Sequence, residues 1–364
     1  MRDLGVPLLL VTIKARIIAL IQTDAPEIFE HVGSDGSRFI ASDTWVRKFV
    51  KATLGWTFRK ATRAAQHLPQ NWEEFVLESW LRHAIVIRDF DIPGQLRVNA
   101  DQTQVVYQQR SGWTYDMRGT KQVHVIGKDE KRAITVLVAI SESGTLLPFQ
   151  AIFKGRSSAS LPDPSSDDPE LKKAYGEATE LGFRFEYAGD TYWSTLETMK
   201  SWVDHILAPY FTEQKALLGL QNDHECILQL DVWSVHASEA FRQWMWDRHP
   251  KIILIYIPGG CTGVFQPCDV GIQRPLKQAL ISYQNESRVH EVLSLLDSGK
   301  PFEALKLDES LKFLRDHIPS SLVRAYNLLA PKSDFIRAVC TAFGCLRNDS
   351  YTVNRHSRTV ALMI

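Results

Sequence analysis

The order of strand-like and helix-like segments between residues 96 and 285 limits most strongly how this chain can fold. Three strand patterns separated by short turns predict an antiparallel meander: "LRVNADQTQVVY", "AITVLVAI" and "LLPFQAIF". The polar stretch at residues 155–170 predicts an exposed loop. Two buried-strand patterns, "CILQLD" and "KIILIYIP", then alternate with helical ones. This order predicts an α/β fold, a mixed sheet flanked by helices on both faces.

Three aspartates lie at or near the ends of these predicted elements. Asp101 lies within the first strand, Asp231 ends the fourth, and Asp269 follows the fifth, where a helix over residues 269–284 is predicted to begin. If the first and fourth strands are parallel neighbours, Asp101 and Asp231 emerge side by side, and the helix start brings Asp269 over the same edge. Taken singly, each aspartate is more simply explained as a helix cap or turn former.

A cluster of three carboxylates has a specific chemical use. The carboxylates repel one another and lose hydration on burial, and a hard divalent cation relieves that conflict. We therefore predict that Asp101, Asp231 and Asp269 bind one or two Mg²⁺ (or Mn²⁺) ions. Two such ions can activate a nucleophile and stabilise the leaving oxygen of an in-line displacement. The predicted chemistry is phosphodiester cleavage or transfer.

Two other side chains are candidates for an assisting role. His236, five residues after Asp231, could orient a ligand or phosphate, or it is a hydrogen-bonded structural histidine. Lys277 could contact a DNA phosphate, or it is a solvated helix position. The "GGCTG" loop at residues 259–263 lacks the following Lys-Ser/Thr of a nucleotide-binding loop, so no nucleotide cofactor is predicted.

The basic surface of this chain is local. Lys+Arg and Asp+Glu both number 42, which excludes the whole-chain basic excess of many nucleic-acid-binding proteins. Helices are predicted over residues 8–23 and 42–66, and no acid occurs between residues 45 and 66. Aromatic anchors beside charges of one sign are consistent with DNA contact and equally with a merely solvated helix face, and the residues alone leave both interpretations open. The candidate DNA-binding residues are Arg47, Lys48, Lys51, Arg59, Lys60 and Arg63.

Cysteine usage and the N-terminal segment bear on the compartment. The five cysteines include no C-x-x-C pair, which is typical of reduced thiols in the cytosol or nucleus. Lys14 and Arg16 interrupt the N-terminal apolar run, so it predicts a helix of a soluble protein and not a signal peptide or membrane span. No membrane partner is expected.

Four motifs together resemble those of pogo/Tigger-type DDE transposases, in the mariner-like superfamily. They are "VNADQTQVVY", "LPFQAIFKG", "LQLDVWSVHAS" and "IPGGCTGVFQPCDVGIQRPLK". The resemblance implies an RNase-H-like endonuclease domain over residues 96–285, in which Asp101, Asp231 and Asp269 are the catalytic, metal-binding residues. After the first Asp the family more often has Glu, where this chain has Gln102.

The N-terminal part carries a second resemblance. The segments "GVPLLLVTIKARIIALIQ" and "ASDTWVRKFVKATLGWTFRKATRAAQHLP" resemble the centromere-protein-B-type helix-turn-helix domain that precedes the catalytic domain in this family, here in an N-terminally truncated form. The implied organisation is a partial helix-turn-helix DNA-binding domain over residues 5–68, a connector helix over 71–93, the endonuclease domain, and a helical C-terminal segment over 286–364.

Two functions follow from these resemblances. The first is a transposon-derived DNA endonuclease or strand transferase in the nucleus, with DNA as its partner and self-association as a homo-oligomer as a further expectation. The second is a catalytically idle, domesticated DNA-binding protein that retains the transposase scaffold. The residues alone leave both open.

Overall fold

The structure is a computed structural model, and it describes residues 10–34, 36–56, 68–107, 132–297 and 308–343. The chain divides into two compact units, Met1–His67 and Leu68–Ile364. Each unit is described by itself.

The N-terminal unit is a small helical assembly. Buried Val46 and Val50 form its core together with Ala41, and the rings of Trp45 and Phe49 stack at 5.0 Å against it. Apolar contacts of this kind provide most of the stability of such short helices. The helices of this unit are α1 (Leu10–Asp24), α2 (Glu27–Glu30) and α3 (Asp43–Leu54).

Helix α3 has clear sequence signals at both ends. The Ser42 hydroxyl accepts a hydrogen bond from the Trp45 amide at 3.2 Å and caps the first turn. Gly55 follows the last turn with φ 64°, a left-handed conformation that glycine adopts readily. The single helix predicted over residues 42–66 is therefore wrong in extent, because it ends at Leu54; residues 57–67 lie outside the described part of the chain.

The second unit is built on a six-stranded sheet of order β4-β3-β2-β1-β5-β6. Strands β1, β2 and β3 form an antiparallel meander, and β5 and β6 run parallel to β1. This is an RNase-H-like mixed sheet, which confirms the predicted fold class. The strands are β1 (Arg97–Val106), β2 (Ala133–Ser141), β3 (Gln150–Phe153), β4 (Arg184–Tyr187), β5 (Cys226–Leu230) and β6 (Ile252–Tyr256).

Helices cover both faces of this sheet. Short 3₁₀ turns at residues 94–96 and 158–160 and π-helical turns at residues 203–207 and 268–272 connect some of them. The helices of this unit are α4 (Trp72–Phe90), α5 (Pro169–Glu180), α6 (Leu196–Trp202), α7 (Ala208–Leu218), α8 (Glu239–Arg248), α9 (Thr262–Phe265), α10 (Gln273–Asp297), α11 (Leu311–Asp316), α12 (Ile318–Leu329) and α13 (Ser333–Phe343).

The two faces of the sheet bury separate cores. Along β2, Ile134 and Val136 point into a core shared with helices α10 to α13, while Leu137 and Ala139 point into a core shared with α6 to α8. All nine residues of β2 are buried, as expected for a strand covered on both sides. The C-terminal helices are therefore part of the packing that supports the sheet.

One helix and one strand differ from the sequence prediction. The stretch predicted to be a loop ends in α5, whose first turn is capped by the Asp168 carboxylate and begins with Pro169. Strand β4 then adds parallel to β3 at the sheet edge. This strand extends the sheet on the side away from β5 and β6.

The cysteines of the described residues are buried free thiols, namely Cys226, Cys261, Cys268 and Cys340. Burial raises the pKa of Cys226 to about 11. Within the described ranges, every helix is too short or too polar to cross a membrane.

Candidate active site

Asp101 and Asp231 lie on neighbouring parallel strands. The β1–β5 ladder pairs Arg97 with Ile227 and Asn99 with Gln229, so each β1 residue faces the residue 130 positions later. Continued by two residues, the same register leads from Asp101 to Asp231, which directly follows β5. The predicted juxtaposition of two carboxylates at one sheet edge follows from this pairing.

Asp101 is buried and surrounded by hydrogen-bond donors. Its Oδ1 accepts from the backbone N–H of Gln102 at 2.8 Å, and its Oδ2 accepts from Gln273 Nε2. Burial raises the pKa of Asp101 well above its ordinary value, and the negative charges of Asp231 and Asp269 raise it further. The carboxylates therefore interact unfavourably across this edge.

Asp231 is held by a buried histidine. His236 is 1% exposed, and its Nδ1 lies 2.6 Å from Asp231 Oδ1. The other ring nitrogen, Nε2, lies 3.0 Å from Gln102 Nε2. Because the side-chain amide nitrogen of Gln102 donates to Nε2 of His236, the proton of the imidazole is on Nδ1 and is donated to Asp231. The Tyr256 hydroxyl donates to the His236 carbonyl at 2.7 Å, which fixes the backbone of this turn.

The turn that carries Asp269 is tied to β1. The Cys268 amide donates to Asn99 Oδ1 at 3.0 Å, and Gln266 Nε2 donates to the Ala100 carbonyl at 3.3 Å. Gln273, four residues after Asp269, donates to Asp101. These contacts place the start of α10 over the part of β1 that carries Asp101.

Lys277 faces the same carboxylates. Burial lowers its pKa, while the charges of Asp269 and Asp101 raise it. Burial likewise raises the pKa of Asp269, Lys277 lowers it, and Asp231 raises it. Lys277 follows Asp269 by eight residues, which is about one residue more than two α-helical turns. The wider π-helical turn Cys268–Ile272 accommodates this extra residue. Lys277 thus returns to the side of the helix that carries Asp269.

The donor set suits a hard divalent cation, although the three carboxylates do not form a closed ligand cage. Asp101, Asp231 and Asp269 offer only oxygen ligands, which Mg²⁺ and Mn²⁺ prefer, and their mutual repulsion is what such a cation relieves. In the described part of the chain, however, no group of three or more His, Cys, Asp or Glu side chains is arranged to hold a metal ion. The fit is therefore one of chemistry and not of coordination geometry.

Sequence reasoning missed the amides around the site. Gln273 contacts Asp101, Gln266 contacts β1, and Asn99 joins β1 to β5 through a 3.2 Å hydrogen bond to Gln229. Gln266 belongs to the same Q-P-x-D motif as Asp269, so the motif did contain this residue. Its contact with β1 could be recognised only from the structure. Gln102, noted for its difference from the family, contacts His236.

The candidate DNA-binding residues belong to the N-terminal unit. Arg47, Lys48 and Lys51 are exposed on α3, on the part of the helix surface that the buried Val46 and Val50 do not occupy. The other three candidates, Arg59, Lys60 and Arg63, lie outside the described residues.

A family comparison covers the catalytic part of the chain. The profile of the DDE superfamily endonuclease family matches residues 130–322, just over half of the chain. The chain therefore belongs to the DDE superfamily endonucleases. The match contains Asp231 and Asp269 and begins after Asp101.

Curated relatives point to the same group. Human "Pogo transposable element with KRAB domain" is 24% identical over 264 residues, covering 71% of this chain and 38% of that protein. The mouse protein of the same name is 23% identical over 261 residues, covering 71% and 39%. The chain thus spans about two fifths of the length of these curated relatives. The predicted resemblance to pogo-type DDE transposases is confirmed.

Solved structures that resemble this chain include two Mos1 complexes. The "Mos1 transposase paired-end complex with left transposon end" has a TM-score of 0.43 and 11% identity, covering 91% of this chain and 79% of that chain. The "Mos1 mariner paired end complex with Mn" has a TM-score of 0.42 and 11% identity, covering 92% and 79%. At these values the family assignment rests on the profile match.

Proposed function

We propose that this chain is a transposon-derived DNA endonuclease or strand transferase that depends on Mg²⁺ or Mn²⁺. Asp101, Asp231 and Asp269 would hold one or two ions. The main support is the β1–β5 register, which leads Asp101 and Asp231 to one sheet edge, within reach of the charge of Asp269. Membership of an endonuclease family supports the reaction class.

The residues around the three carboxylates would orient them and attract a phosphate. The bound cation would supply the positive charge that activates water or a DNA 3′-hydroxyl for attack on a phosphodiester. His236 holds one oxygen of Asp231 and so fixes its orientation. The side chain of Gln273 and the backbone N–H of Gln102 donate hydrogen bonds to Asp101. Lys277 adds a positive charge beside Asp269 that favours a phosphate at this edge.

Nicking of supercoiled plasmid tests this proposal. We expect the purified chain to nick the plasmid with Mg²⁺ or Mn²⁺ and to stop when the metal is chelated. Asp231→Ala should remove nicking while DNA binding persists, and an unchanged circular dichroism spectrum and thermal melt show that the unit carrying Asp231 is still folded. Nicking that is indifferent to Asp231→Ala would come from a contaminant and remove the enzymatic proposal.

A catalytically idle DNA-binding protein is the second candidate. It is favoured by the engagement of both Asp101 oxygens with Gln102 and Gln273, and by the lack of a preformed three-ligand cluster within the described residues. DNA binding without metal-dependent nicking would identify this function. Nuclear location stays a prediction of both functions.

The DNA-binding role of α3 makes a quantitative prediction. Combined Arg47→Ala, Lys48→Ala and Lys51→Ala should weaken DNA binding and reduce the slope of log affinity against log salt by about 2–3, because each lost phosphate contact contributes about 0.9. The matched control replaces exposed Lys172 and Lys173 of α5 by alanine. A gel-shift salt titration measures both slopes, and an unchanged slope for the α3 variant would exclude these phosphate contacts.

A further inference from the structure

Helix α4 exposes an apolar stripe on the side away from the sheet. Leu77 is 53% exposed, Leu81 45% and Ile85 48%. The opposite side of the helix packs on the sheet unit, where Ser79 and His83 are buried. A single exposed apolar side chain needs no explanation, but two leucines and an isoleucine at one-turn spacing form a continuous surface.

The stripe continues into one charged residue at each end. Glu74 precedes Leu77 by three residues, and Arg88 follows Ile85 by three. At 100° per residue, these five side chains fall within an arc of about 80° on the helix surface. Both charged side chains are exposed, and Arg88 pairs with its neighbour Asp89 at 2.7 Å, an exposed contact that it can exchange. We call these five residues the α4 stripe.

The α4 stripe is symmetric about its centre. Leu77 and Ile85 lie four residues on either side of Leu81, while Glu74 and Arg88 lie seven residues on either side. If a second α4 packs antiparallel with a two-fold axis at Leu81, Leu81 meets Leu81 and Leu77 meets Ile85. In the same arrangement each Glu74 meets an Arg88 of the other copy. Hydrophobic contacts and opposite charges are then satisfied by one symmetry operation.

We propose that the α4 stripe is a self-association surface on which a second copy of this chain docks, with the two helices antiparallel. A parallel arrangement would place Glu74 against Glu74 and Arg88 against Arg88, so the charges favour the antiparallel one. One helix pair buries less surface than a standard stable interface, so we expect concentration-dependent dimerisation. This interface does not depend on the proposed cleavage chemistry.

Sedimentation velocity of the full chain without DNA or metal tests the proposal. The wild type should shift from monomer to dimer as its concentration rises to about 100 μM. Leu81→Glu, which places two carboxylates together at the axis, should stay monomeric. The matched control is Leu217→Glu on α7, where the leucine is 73% exposed outside the stripe, and this variant should dimerise like the wild type.

Charge exchange identifies the direction of the helices. Glu74→Arg and Arg88→Glu should each weaken dimerisation about tenfold at low salt, because each change replaces two attractive contacts by two repulsive ones. The double variant should restore wild-type dimerisation. A wild type that stays monomeric, an undisturbed Leu81→Glu dimer, or a double variant without rescue would each overturn the proposal. Unchanged circular dichroism shows that these exposed positions have not altered the fold.

Discussion

Asp101→Asn is expected to abolish metal-dependent nicking and at the same time to stabilise the metal-free protein. Loss of one metal ligand removes several kcal/mol of charge stabilisation in the transition state, which corresponds to a rate loss of at least about 10²-fold. In the metal-free protein the same substitution removes a buried charge that Asp231 and Asp269 repel. We therefore expect a higher Tm together with lost activity, a combination typical of strained functional sites.

The stability difference between Asp101→Asn and the wild type should depend on pH. The folded pKa of Asp101 is raised above its ordinary value of 3.8, so folding binds a proton between these two values and wild-type stability falls as pH rises through that window. The asparagine variant lacks this loss, so its advantage should grow with pH across the window. Thermal melts of both proteins in chelator across this pH range measure the difference.

His83 acts in the opposite direction and must be separated from this effect. Burial lowers the pKa of His83 to about 4, so the stability of both proteins falls as pH decreases from 6.5 towards 4. Because His83 is common to both proteins, it cancels in their difference. A Tm of Asp101→Asn that is below the wild-type Tm at every pH, or retained nicking, would contradict the role given to Asp101.

Gly271→Ala should destabilise the protein and disturb the site through packing alone. Gly271 lies in the π-helical turn that carries Asp269, and an added Cβ would overlap both methyl groups of Val339 on α13, at 2.6 Å from Cγ2. Overpacking of a buried contact costs about 1–3 kcal/mol of the free energy of unfolding. Because the turn must move to relieve the overlap, we also expect weaker nicking.

A second substitution makes this a test of the contact itself. Val339→Ala removes both clashing methyl groups, so the Gly271→Ala, Val339→Ala double variant should be more stable than the sum of its single changes, by about 1 kcal/mol or more. Gly176→Ala is the matched control, since Gly176 lies in α5 with no atom within 4 Å of the added Cβ, and it should stabilise by about 0.5–1 kcal/mol. Additive single changes, measured by urea unfolding, would exclude the contact as the cause.

The two strands that lead to Asp101 and Asp231 were predictable from the sequence, but their pairing was only a condition of the argument. The meander and the buried strand before Asp231 were visible as hydrophobic patterns, whereas the parallel pairing of β1 with β5 is seen in the structure. Strand β4 has four residues and none of them is fully buried, so its pattern gave no comparable signal. Helix α5 did carry signals, Asp168 as its cap and Pro169 after it, but the surrounding polar residues favoured a loop.

The support around the carboxylates was not predictable in the same way. Gln273 reaches Asp101 across 172 positions of sequence, and Gln266 reaches the Ala100 carbonyl across 166. Such contacts depend on the packing of α10 over β1. The position of a glutamine in the sequence does not predict which distant residue its side chain contacts. The extent of α3 was mispredicted for a local reason, because Gly55 ended a helix that the basic and aromatic pattern extended.

Binding of Mn²⁺ followed by electron paramagnetic resonance tests the central proposal most directly, because it reports the metal without requiring turnover. With DNA present, the wild-type chain should bind Mn²⁺, and Asp231→Ala should lose that binding while it still binds DNA. Mn²⁺ binding that Asp231→Ala leaves unchanged, or a wild type that binds no Mn²⁺, would contradict a metal site formed by the three aspartates.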